Sequence, residues 1–348
     1  MIDAAFIATL AALMAALFVW SFKTLPQERW QMIAAVPVTK HHDGEWRGMN
    51  LTFYGFFSAT GCVFGIGFAL LLLASIRVSM LVAVILVAGM LALCVPASRL
   101  VAAIVEKKSN TYTIAGAAFV AAILLPPVVW LGAKLLSGWS LTLYVVPTLA
   151  AAAIAYALAE AIGRLACMSF GCCYGMPLRD APPPLAKLFR RFHTVFHGDT
   201  KKAAYASQLQ DEPLIPVQAL TSVVFTLAGL SGLVFFLAQY WRLAVLLPVI
   251  GTWGWRVMAE NLRADHRGHT RISVYQVMSL IALAYLSAAA FLLPAGGPVP
   301  DVLLGLSELA KLPMFLVLQT LWVLLFLFYG RSRVTASVLS FHVVTERT

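Results

Sequence analysis

Charged side chains are scarce in this chain: they make up 11% of its 348 residues, whereas 61% are hydrophobic. A soluble domain carries roughly a quarter charged residues, and one core of this size could not hide so many apolar side chains from water. The composition therefore excludes an ordinary water-soluble protein. The apolar runs are about 20 residues long and do not alternate with polar residues, which predicts membrane-spanning helices and excludes a β-barrel.

Several other signals are missing. No basic segment precedes the first apolar run and no small-residue cleavage site follows it, so 4–22 is predicted to be a retained membrane helix rather than a signal peptide. The basic residues form no basic helix, and we expect no nucleic-acid partner. Five cysteines are present, and they do not form the pattern of a disulfide framework. Cys62 and Cys94 lie alone in apolar runs, where packing is the simpler interpretation.

Hydropathy predicts an all-α, polytopic membrane protein with about nine spans. The predicted spans are approximately 4–22, 48–76, 78–105, 112–133, 139–163, 215–240, 243–262, 272–293 and 312–330. A polar loop is expected at 23–47.

The longest break between spans, 176–214, begins with three prolines and continues as an amphipathic segment. This segment is predicted to be a helix lying in the membrane interface, because its apolar and basic side chains would occupy opposite helical faces. The apolar face would carry Leu185, Leu188, Phe189, Phe192 and Phe196.

Basic residues concentrate on one predicted side of the membrane. Of the 25 Lys and Arg residues, 20 fall on the side that carries 23–47, 106–111, 164–214, 256–271 and 331–348. The formal net charge of +10 can reflect topology and attraction to anionic lipid. It can also reflect a basic cavity that binds an anionic headgroup.

A group of charged residues lies at or within the apolar spans. Arg164 is predicted to end one span, while Arg256 and Glu260 lie four residues apart in another and Arg263 extends the same helical face. A charge at that depth costs about 2.5–3.5 kcal/mol, so it marks a functional site or an internal ion pair. Three arginines against one glutamate leave unmatched positive charge, which favours a site that binds an anion such as phosphate.

The segment Gly171-Cys-Cys-Tyr-Gly175 follows Arg164 closely. Its glycines favour a tight turn whose backbone N–H groups could face a ligand. No metal site is expected, because the spacing of Cys167, Cys172 and Cys173 lacks a C-x2-C pair. Cys172 could instead be a thiolate nucleophile or a packing residue.

Two histidines follow Arg263. His266 and His269 have a spacing that would suit a metal ion or a general base. Histidines in such a loop are more commonly exposed to solvent, so both interpretations stay open.

Five ordered segments between 48 and 293 resemble the prolipoprotein diacylglyceryl transferase family. The family's G-R-x-G-N-F-x-N-G-E-x-x-G signature is similar to 163–175, and its W-Y-G helix start is similar to 53–55. Its R-x-x-x-E-x-x-R resembles 256–263. Its S-M-G-Q helix start resembles 273–276, and a weaker similarity joins its H-P-S-Q to 215–218.

The chain also departs from the family pattern. The family's H-G-G segment would fall near 113–116, and its essential histidine is missing there. Cys167 and Cys172 replace the Asn and Glu of the signature, and Ile215 replaces the His of H-P-S-Q. The resemblance thus covers the residues that hold the lipid donor better than those that would serve the acceptor or move protons.

The resemblance implies a seven-helix transferase core at 48–293, interrupted by the insertion at 176–214, with one extra helix in each of 1–47 and 294–348. It implies a multi-pass protein of the bacterial cytoplasmic membrane that transfers a diacylglyceryl or glycerol-phosphate-type group from phosphatidylglycerol to an unidentified acceptor, without a cofactor. A non-catalytic phospholipid-binding or transport protein is the alternative. A channel or other transporter is disfavoured, because the two halves lack paired interrupted helices.

The resemblance also implies roles for individual residues. Arg164 and Arg256 would hold the phosphate, Glu260 would orient Arg256, and Tyr54 would contact the headgroup. The general base is open among Glu260, His266 and Cys172. Further substrate-binding positions would be Gly163, Gly171, Cys172, Cys173, Gly175, Gln218, Arg263 and Gln276.

Membrane orientation is the remaining conflict. The family places its motif residues outside the cytoplasm, whereas the 20 basic residues on the same side would place them inside by the positive-inside rule.

Overall fold

The structure, a computed structural model, describes residues 1–41, 44–105, 114–137, 142–264, 272–331 and 340–342. Within these ranges, eight helices are long and apolar enough to cross a membrane, which supports a predominantly helical multi-pass membrane protein. They are α1 (Ile2–Thr24), α2 (Phe53–Ser75), α3 (Met80–Val105), α4 (Ile114–Ser137), α5 (Val145–Phe170), α8 (Val217–Leu237), α11 (Val274–Leu292) and α13 (Leu312–Tyr329). The shorter helices are α6 (Pro183–Phe189), α7 (Lys202–Ser207), α9 (Trp241–Val249), α10 (Trp255–Glu260) and α12 (Val302–Ala310).

The predicted span at 243–262 falls on an interrupted helix that is not one of these eight. A π-helical turn, Ile250–Gly254, joins α9 directly to α10. Pro248 lies just before this turn and cannot donate a backbone hydrogen bond. The Thr252 hydroxyl donates to the Pro248 carbonyl at 2.7 Å. A π turn within a helix often occurs at a functional site, and this one directly precedes Arg256.

The centre of the bundle is α5, which packs mainly against α2 and α8. Its alanine-rich sequence presents small side chains, so neighbouring backbones approach closely. A Cβ added at Gly61 of α2 would lie 2.8 Å from the carbonyl oxygen of Ala159. On the other side, a Cβ at Gly229 of α8 would lie 2.7 Å from Leu158. Small residues on three helices therefore set the tight packing around α5.

The outer helices expose their apolar side chains, as expected for helices that contact lipid. Only 17% of the apolar window is buried in each of α1, α3 and α4, and none of it in α13. The C-terminal helix α13 lies along α2, where Trp322 donates to the Thr60 hydroxyl at 3.0 Å. Aromatic rings of Trp322 and Phe56 meet edge to face at 5.6 Å.

The predicted polar loop at 23–47 contains a β-strand, so the all-α description is incomplete. Strands β1 (Met32–Lys40) and β2 (Glu45–Thr52) form an antiparallel pair, and β3 (Ser340–His342) pairs antiparallel with β2. The helix predicted to begin at 48 begins at Phe53 instead, because the Thr52 side chain caps α2 by accepting the Gly55 N–H.

The predicted interfacial helix is shorter than its amphipathic pattern suggested. Helix α6 ends at Phe189, and the backbone of Thr194 then pairs with Leu214 as an isolated β-bridge. The predicted single apolar face is wrong: Phe189 and Phe196 are buried, whereas Leu188 is 62% and Phe192 is 72% exposed. Because Thr194 pairs with Leu214, the chain after Phe189 does not form the helical hydrogen bonds that its amphipathic pattern favoured.

The segment 176–214 docks against one end of the bundle, which we call the basic end. Here α1, α5, α10 and α13 finish, and α2, α8 and α11 begin. The Lys201 ammonium donates to the Leu25 carbonyl at 2.9 Å and to the Ser169 carbonyl at 2.5 Å. Gln31 donates to the Thr200 carbonyl at 2.8 Å. These bonds tie the insertion to the ends of α1 and α5.

Candidate functional site

A polar pocket lies at the basic end between α5, α8, α10 and α11. It encloses about 600 Å³ of space not filled by protein atoms, counting its open mouth. The predicted site residues that line it are Arg164, Cys173, Gln218, Arg256, Glu260 and Arg263. Residues separated by almost 100 positions in the sequence thus meet at one cavity.

A carboxylate that sequence reasoning missed contacts two of the arginines that line the pocket. One oxygen of Glu160, Oε2, lies 3.0 Å from Arg164 Nη2 and 2.8 Å from Arg256 Nη2. All three side chains are well shielded, with exposed fractions of 11% for Glu160, 17% for Arg164 and 12% for Arg256. The signal was available in the sequence, because Glu160 and Arg164 are four residues apart and a carboxylate within an apolar span marks a site or a pair.

Arg256 is held on several sides. Besides Glu160, it donates to the Tyr156 hydroxyl at 2.5 Å. Its guanidinium carbon lies 5.6 Å from the centre of the Trp253 ring and 5.9 Å from that of Phe225, both within cation–π range. Among the described residues, its Nε has no hydrogen-bond partner. The side chain is therefore fixed in position while one buried donor remains for a bound acceptor.

These contacts add Glu160 to the predicted group of charged residues. The ion-pair alternative is present, but with Glu160 as the shared carboxylate. Glu260 was expected to orient Arg256, and Glu160 is a second carboxylate, one that contacts Arg256 directly. Glu260 lines the same pocket. Counting Glu160 with the pocket's described charges, three arginines and two glutamates give a formal charge of +1, a smaller excess than the sequence suggested.

The backbone positions of two arginines also differ from prediction. Helix α5 runs on to Phe170, so Arg164 lies inside the helix rather than at its end. Helix α10 stops at Glu260, and Arg263 follows in an extended conformation that forms a β-bridge with Gly175. Arg263 therefore reaches the pocket from a paired loop and does not share the helical face of Arg256.

The turn after α5 has the tight geometry predicted from its glycines. Gly171 has φ of +72° and caps α5 in the left-handed conformation. The expected N–H cradle is not formed by its first residues, because the Cys172 N–H donates to the Cys167 carbonyl at 3.0 Å. Gly175 is required for close approach: an added Cβ would lie 2.2 Å from the Ile215 carbonyl oxygen.

Gln218 connects the turn to the pocket. Its side-chain Nε2 donates to the Cys172 carbonyl at 2.8 Å, which fixes the orientation of the amide. Its Oε1 is buried and has no hydrogen-bond partner among the described residues. Because Gln218 lines the pocket, this oxygen could accept a hydrogen bond from a hydroxyl group of a ligand.

The three cysteines of the turn region lie together. The sulfur atoms of Cys167, Cys172 and Cys173 are all within 4.8 Å of one another. Hydrogen bonding with Cys167 and with Cys173, together with burial, raises the pKa of the Cys172 thiol well above its usual value. A neutral thiol is a poor nucleophile, which disfavours Cys172 both as nucleophile and as general base.

Three other predicted residues occupy different surroundings. Tyr54 lies near the thiols, with its ring edge-on to Phe170 at 5.8 Å, and is not among the residues that line the pocket. Gln276 forms a capping box with Ser273 and donates to the Val257 carbonyl at 3.1 Å. Gln276 thus joins the start of α11 to α10. Gly163 has open space where a Cβ would point.

Part of the prediction falls outside the described residues. His266 and His269 lie in 265–271, and Thr113 lies in 106–113. Both ranges are outside the described residues. The neighbouring Ala115, near the position of the missing family histidine, lines the pocket.

The fold and the pocket together define a multi-pass helical membrane protein with an arginine-lined polar cavity at one end of its bundle. Comparisons with protein-family models, with curated proteins and with solved structures found no match.

Proposed function

We propose that this protein is a membrane transferase that binds an anionic phospholipid, phosphatidylglycerol, in the arginine-lined pocket. It would transfer a diacylglyceryl or glycerol-phosphate-type group to an acceptor yet to be identified. The observation that carries the proposal is the meeting of Arg164, Gln218 and Arg256 at one cavity. These residues come from three of the separate segments that resemble the prolipoprotein diacylglyceryl transferase family, and all three line the same pocket.

Binding of a phosphate would exploit the shared carboxylate. Glu160 accepts from both arginines, so a phosphate entering the pocket would compete with it for the guanidinium groups. Arginine binds phosphate through two parallel hydrogen bonds, and the buried Nε of Arg256 supplies one donor without breaking an existing bond. The unpartnered Oε1 of Gln218 would accept from a glycerol hydroxyl. The glycerol hydroxyl and the phosphate would then be recognised by residues on different walls of the pocket.

For transfer of a diacylglyceryl group, the chemical step would be a displacement at carbon. The acceptor's nucleophilic atom forms a bond to the diacylglyceryl carbon as the bond from that carbon to the phosphate oxygen breaks. The electron pair of the broken bond leaves with glycerol phosphate, and the acceptor's proton passes to a base. Arg164 and Arg256 would stabilise the negative charge of the leaving phosphate. Glu260, which lines the pocket, is the carboxylate placed to take the proton.

Phosphatidylglycerol as donor implies the bacterial cytoplasmic membrane as the location. The basic end would lie at one surface of the bilayer, where the pocket mouth meets lipid headgroups. An activity reporter fused after Thr348 would establish which surface that is, because the family resemblance and the positive-inside rule give opposite orientations.

A non-catalytic phospholipid-binding protein is the second candidate. It is favoured by the completed pairs of Glu160 with Arg164 and Arg256, which give the empty pocket a stable resting state. The absence of the family histidine near Ala115 points the same way. In this case the pocket would hold a headgroup without breaking a bond.

Purified protein incubated with phosphatidylglycerol labelled in its headgroup separates the two candidates. A transferase releases labelled glycerol phosphate, or moves the label to an acceptor, in the presence of a membrane extract that contains the acceptor, and Arg164→Ala abolishes both outcomes. Arg242→Ala is the matched control, because Arg242 is exposed at the start of α9, away from the basic end. Binding without release or transfer of the label would support the lipid-binding protein. Release that is unchanged in Arg164→Ala would contradict the assigned site.

A further inference from the structure

Three thiols converge beside the arginine pocket, in a cluster that the proposed transfer reaction does not use. Cys167 lies in the last turn of α5, and Cys172 and Cys173 follow in the turn after it. Their sulfur atoms all lie within 4.8 Å of one another, and none of the three forms a disulfide. We call these residues the thiol cluster. The spacing of these cysteines in the sequence predicted no metal site, because adjacent cysteines rarely bind one ion.

The backbone of the turn is what brings adjacent cysteines to one point. Gly171 turns the chain at the end of α5 with φ of +72°. Cys173 then adopts φ of +57°, a left-handed conformation that is uncommon for a residue with a Cβ. Such strain persists where surrounding contacts impose it, and it is concentrated at functional sites. Gln218 supplies one of these contacts by holding the Cys172 carbonyl at 2.8 Å.

We propose that the thiol cluster binds one soft, thiophilic d¹⁰ cation, Cu⁺ or Zn²⁺, through its three sulfur atoms. Thiolates select such ions over hard cations such as Mg²⁺ and Ca²⁺. A metal–sulfur bond of about 2.3 Å places coordinating sulfurs roughly 3.8–4.0 Å apart. The observed separation of no more than 4.8 Å is thus near the required spacing, and closure needs only small side-chain rotations.

The two ions differ in how they would complete the site. Three thiolates alone suit Cu⁺. Zn²⁺ almost always takes four ligands, so it would add a water molecule or another nearby group. In either case the bound metal displaces the thiol protons, which pass to the solvent, and no electron is transferred.

One nearby positive charge would partly balance the bound site. Three thiolates with one divalent ion carry a net charge of −1, and with one monovalent ion a net charge of −2. The Arg164 guanidinium lies within electrostatic reach of Cys167 and Cys173 and would offset part of this charge. Cys173 also lines the arginine pocket, so the cation would sit in the wall of the lipid site. The metal site does not depend on the proposed function, and either can fail without the other.

A thiol-restricted variant gives the cleanest test. Cys62→Ala with Cys94→Ala removes the two isolated cysteines on α2 and α3 and leaves only the thiol cluster. This reduced, purified protein would be titrated with Zn²⁺ and, separately and without oxygen, with Cu⁺, each against a chromophoric chelator. We expect one ion per chain. Adding Cys167→Ala should weaken binding at least tenfold, as even loss of an outer-shell contact typically does.

The elution profile in detergent and the far-ultraviolet circular dichroism of each variant would confirm folding. If Cys167→Ala fails to fold, the loss of thiol reactivity on adding the ion to the parent variant gives the same test. The proposal is overturned if neither ion binds with a stoichiometry of one, or if the Cys167→Ala variant binds as tightly as its parent. It is equally overturned if mild oxidation consumes two of the three thiols while no ion binds, since the cluster would then be a redox-active dithiol.

Discussion

The Glu160 carboxylate accepts a hydrogen bond from Arg256 at 2.8 Å, across 96 positions of sequence. The same oxygen contacts Arg164 on its own helix at 3.0 Å. A shielded carboxylate shared by two arginines joins the central helix α5 to the interrupted helix that ends at Glu260. It also places both guanidinium groups at one pocket, so this contact connects the fold to the proposed site.

Replacement of Glu160 with glutamine should destabilise the empty protein. The substitution keeps an acceptor but removes the charge, leaving two shielded arginines without their shared partner. Loss of one member of a buried ion pair costs about 3 kcal/mol or more. Thermal unfolding in detergent should therefore begin at a clearly lower temperature in Glu160→Gln than in the wild type.

Glu308→Gln provides the matched control, because Glu308 pairs with Lys311, whose side chain is 61% exposed. Breaking such a surface pair should cost less than about 1 kcal/mol. Added phosphatidylglycerol should restore more stability to Glu160→Gln than to the wild type, since the anion would replace the lost carboxylate. Equal losses in both variants would show that the Glu160 contacts contribute little.

Gly163 and Gly175, the first and last residues of the 163–175 segment, should respond oppositely to replacement with alanine. Gly175→Ala places a Cβ 2.2 Å from the Ile215 carbonyl oxygen, which the paired backbone cannot easily avoid. We expect a loss of about 1–3 kcal/mol. Gly163→Ala meets open space within α5, and alanine favours a helix over glycine by about 1 kcal/mol.

Thermal unfolding of both variants in the same detergent measures the difference. Gly163→Ala should match or exceed the wild type, whereas Gly175→Ala should unfold earlier. A Gly163→Ala variant that keeps its stability but loses lipid binding would place Gly163 in the substrate site. If Gly175→Ala is as stable as the wild type, the close packing of the turn against Ile215 is wrong.

Lys201 should make stability depend on pH. Burial lowers the pKa of its ammonium group from 10.5 to about 7, although Glu28 opposes the shift. Between pH 7 and 10 the unfolded chain therefore holds a proton that the folded chain has lost. Stability contributed by this group rises with pH across that range, and the penalty is largest below pH 7, where the charged form must be buried.

The comparison of wild type with Lys201→Met isolates this effect. Methionine fills similar space without a charge. The stability of Lys201→Met relative to the wild type should therefore be greatest at pH 6 and decline toward pH 10. Unfolding temperatures at a series of pH values measure the difference. A difference that does not change with pH would mean that Lys201 keeps an ordinary pKa in the folded protein.

Sequence reasoning placed apolar runs on all eight helices that the described residues show to be long enough to cross a membrane, because the length of such a run reflects bilayer thickness. The interrupted helix at 241–260 also carried a sequence signal, since Pro248 lies within an apolar run. Its π turn could not be predicted, because the hydrogen bond from the Thr252 hydroxyl to the Pro248 carbonyl depends on how the bundle packs. The β-hairpin was missed because 23–47 as a whole was interpreted as a polar loop, although 32–38 is mostly apolar.

The site was predicted in part. Arg164, Arg256 and Arg263 stood out because charges inside apolar segments are costly. Glu160 satisfied the same criterion and was overlooked. The convergence of Cys167, Cys172 and Cys173 could not be read from spacing, since it depends on the left-handed backbone at Gly171 and Cys173. The motifs supplied candidate residues, and the pocket brings together Arg164, Gln218 and Arg256 from that set.

The most direct test is whether the arginine pocket selects an anionic lipid. Purified protein would be delipidated and then offered equal amounts of phosphatidylglycerol and phosphatidylcholine, with bound lipid measured by native mass spectrometry. The wild type and an Arg242→Lys control should both retain phosphatidylglycerol preferentially. Arg256→Lys should lose at least tenfold in that preference, because lysine cannot form the paired hydrogen bonds of a guanidinium with phosphate. Equal retention of the two lipids by the wild type, or an unchanged preference in Arg256→Lys, would contradict the proposed headgroup site.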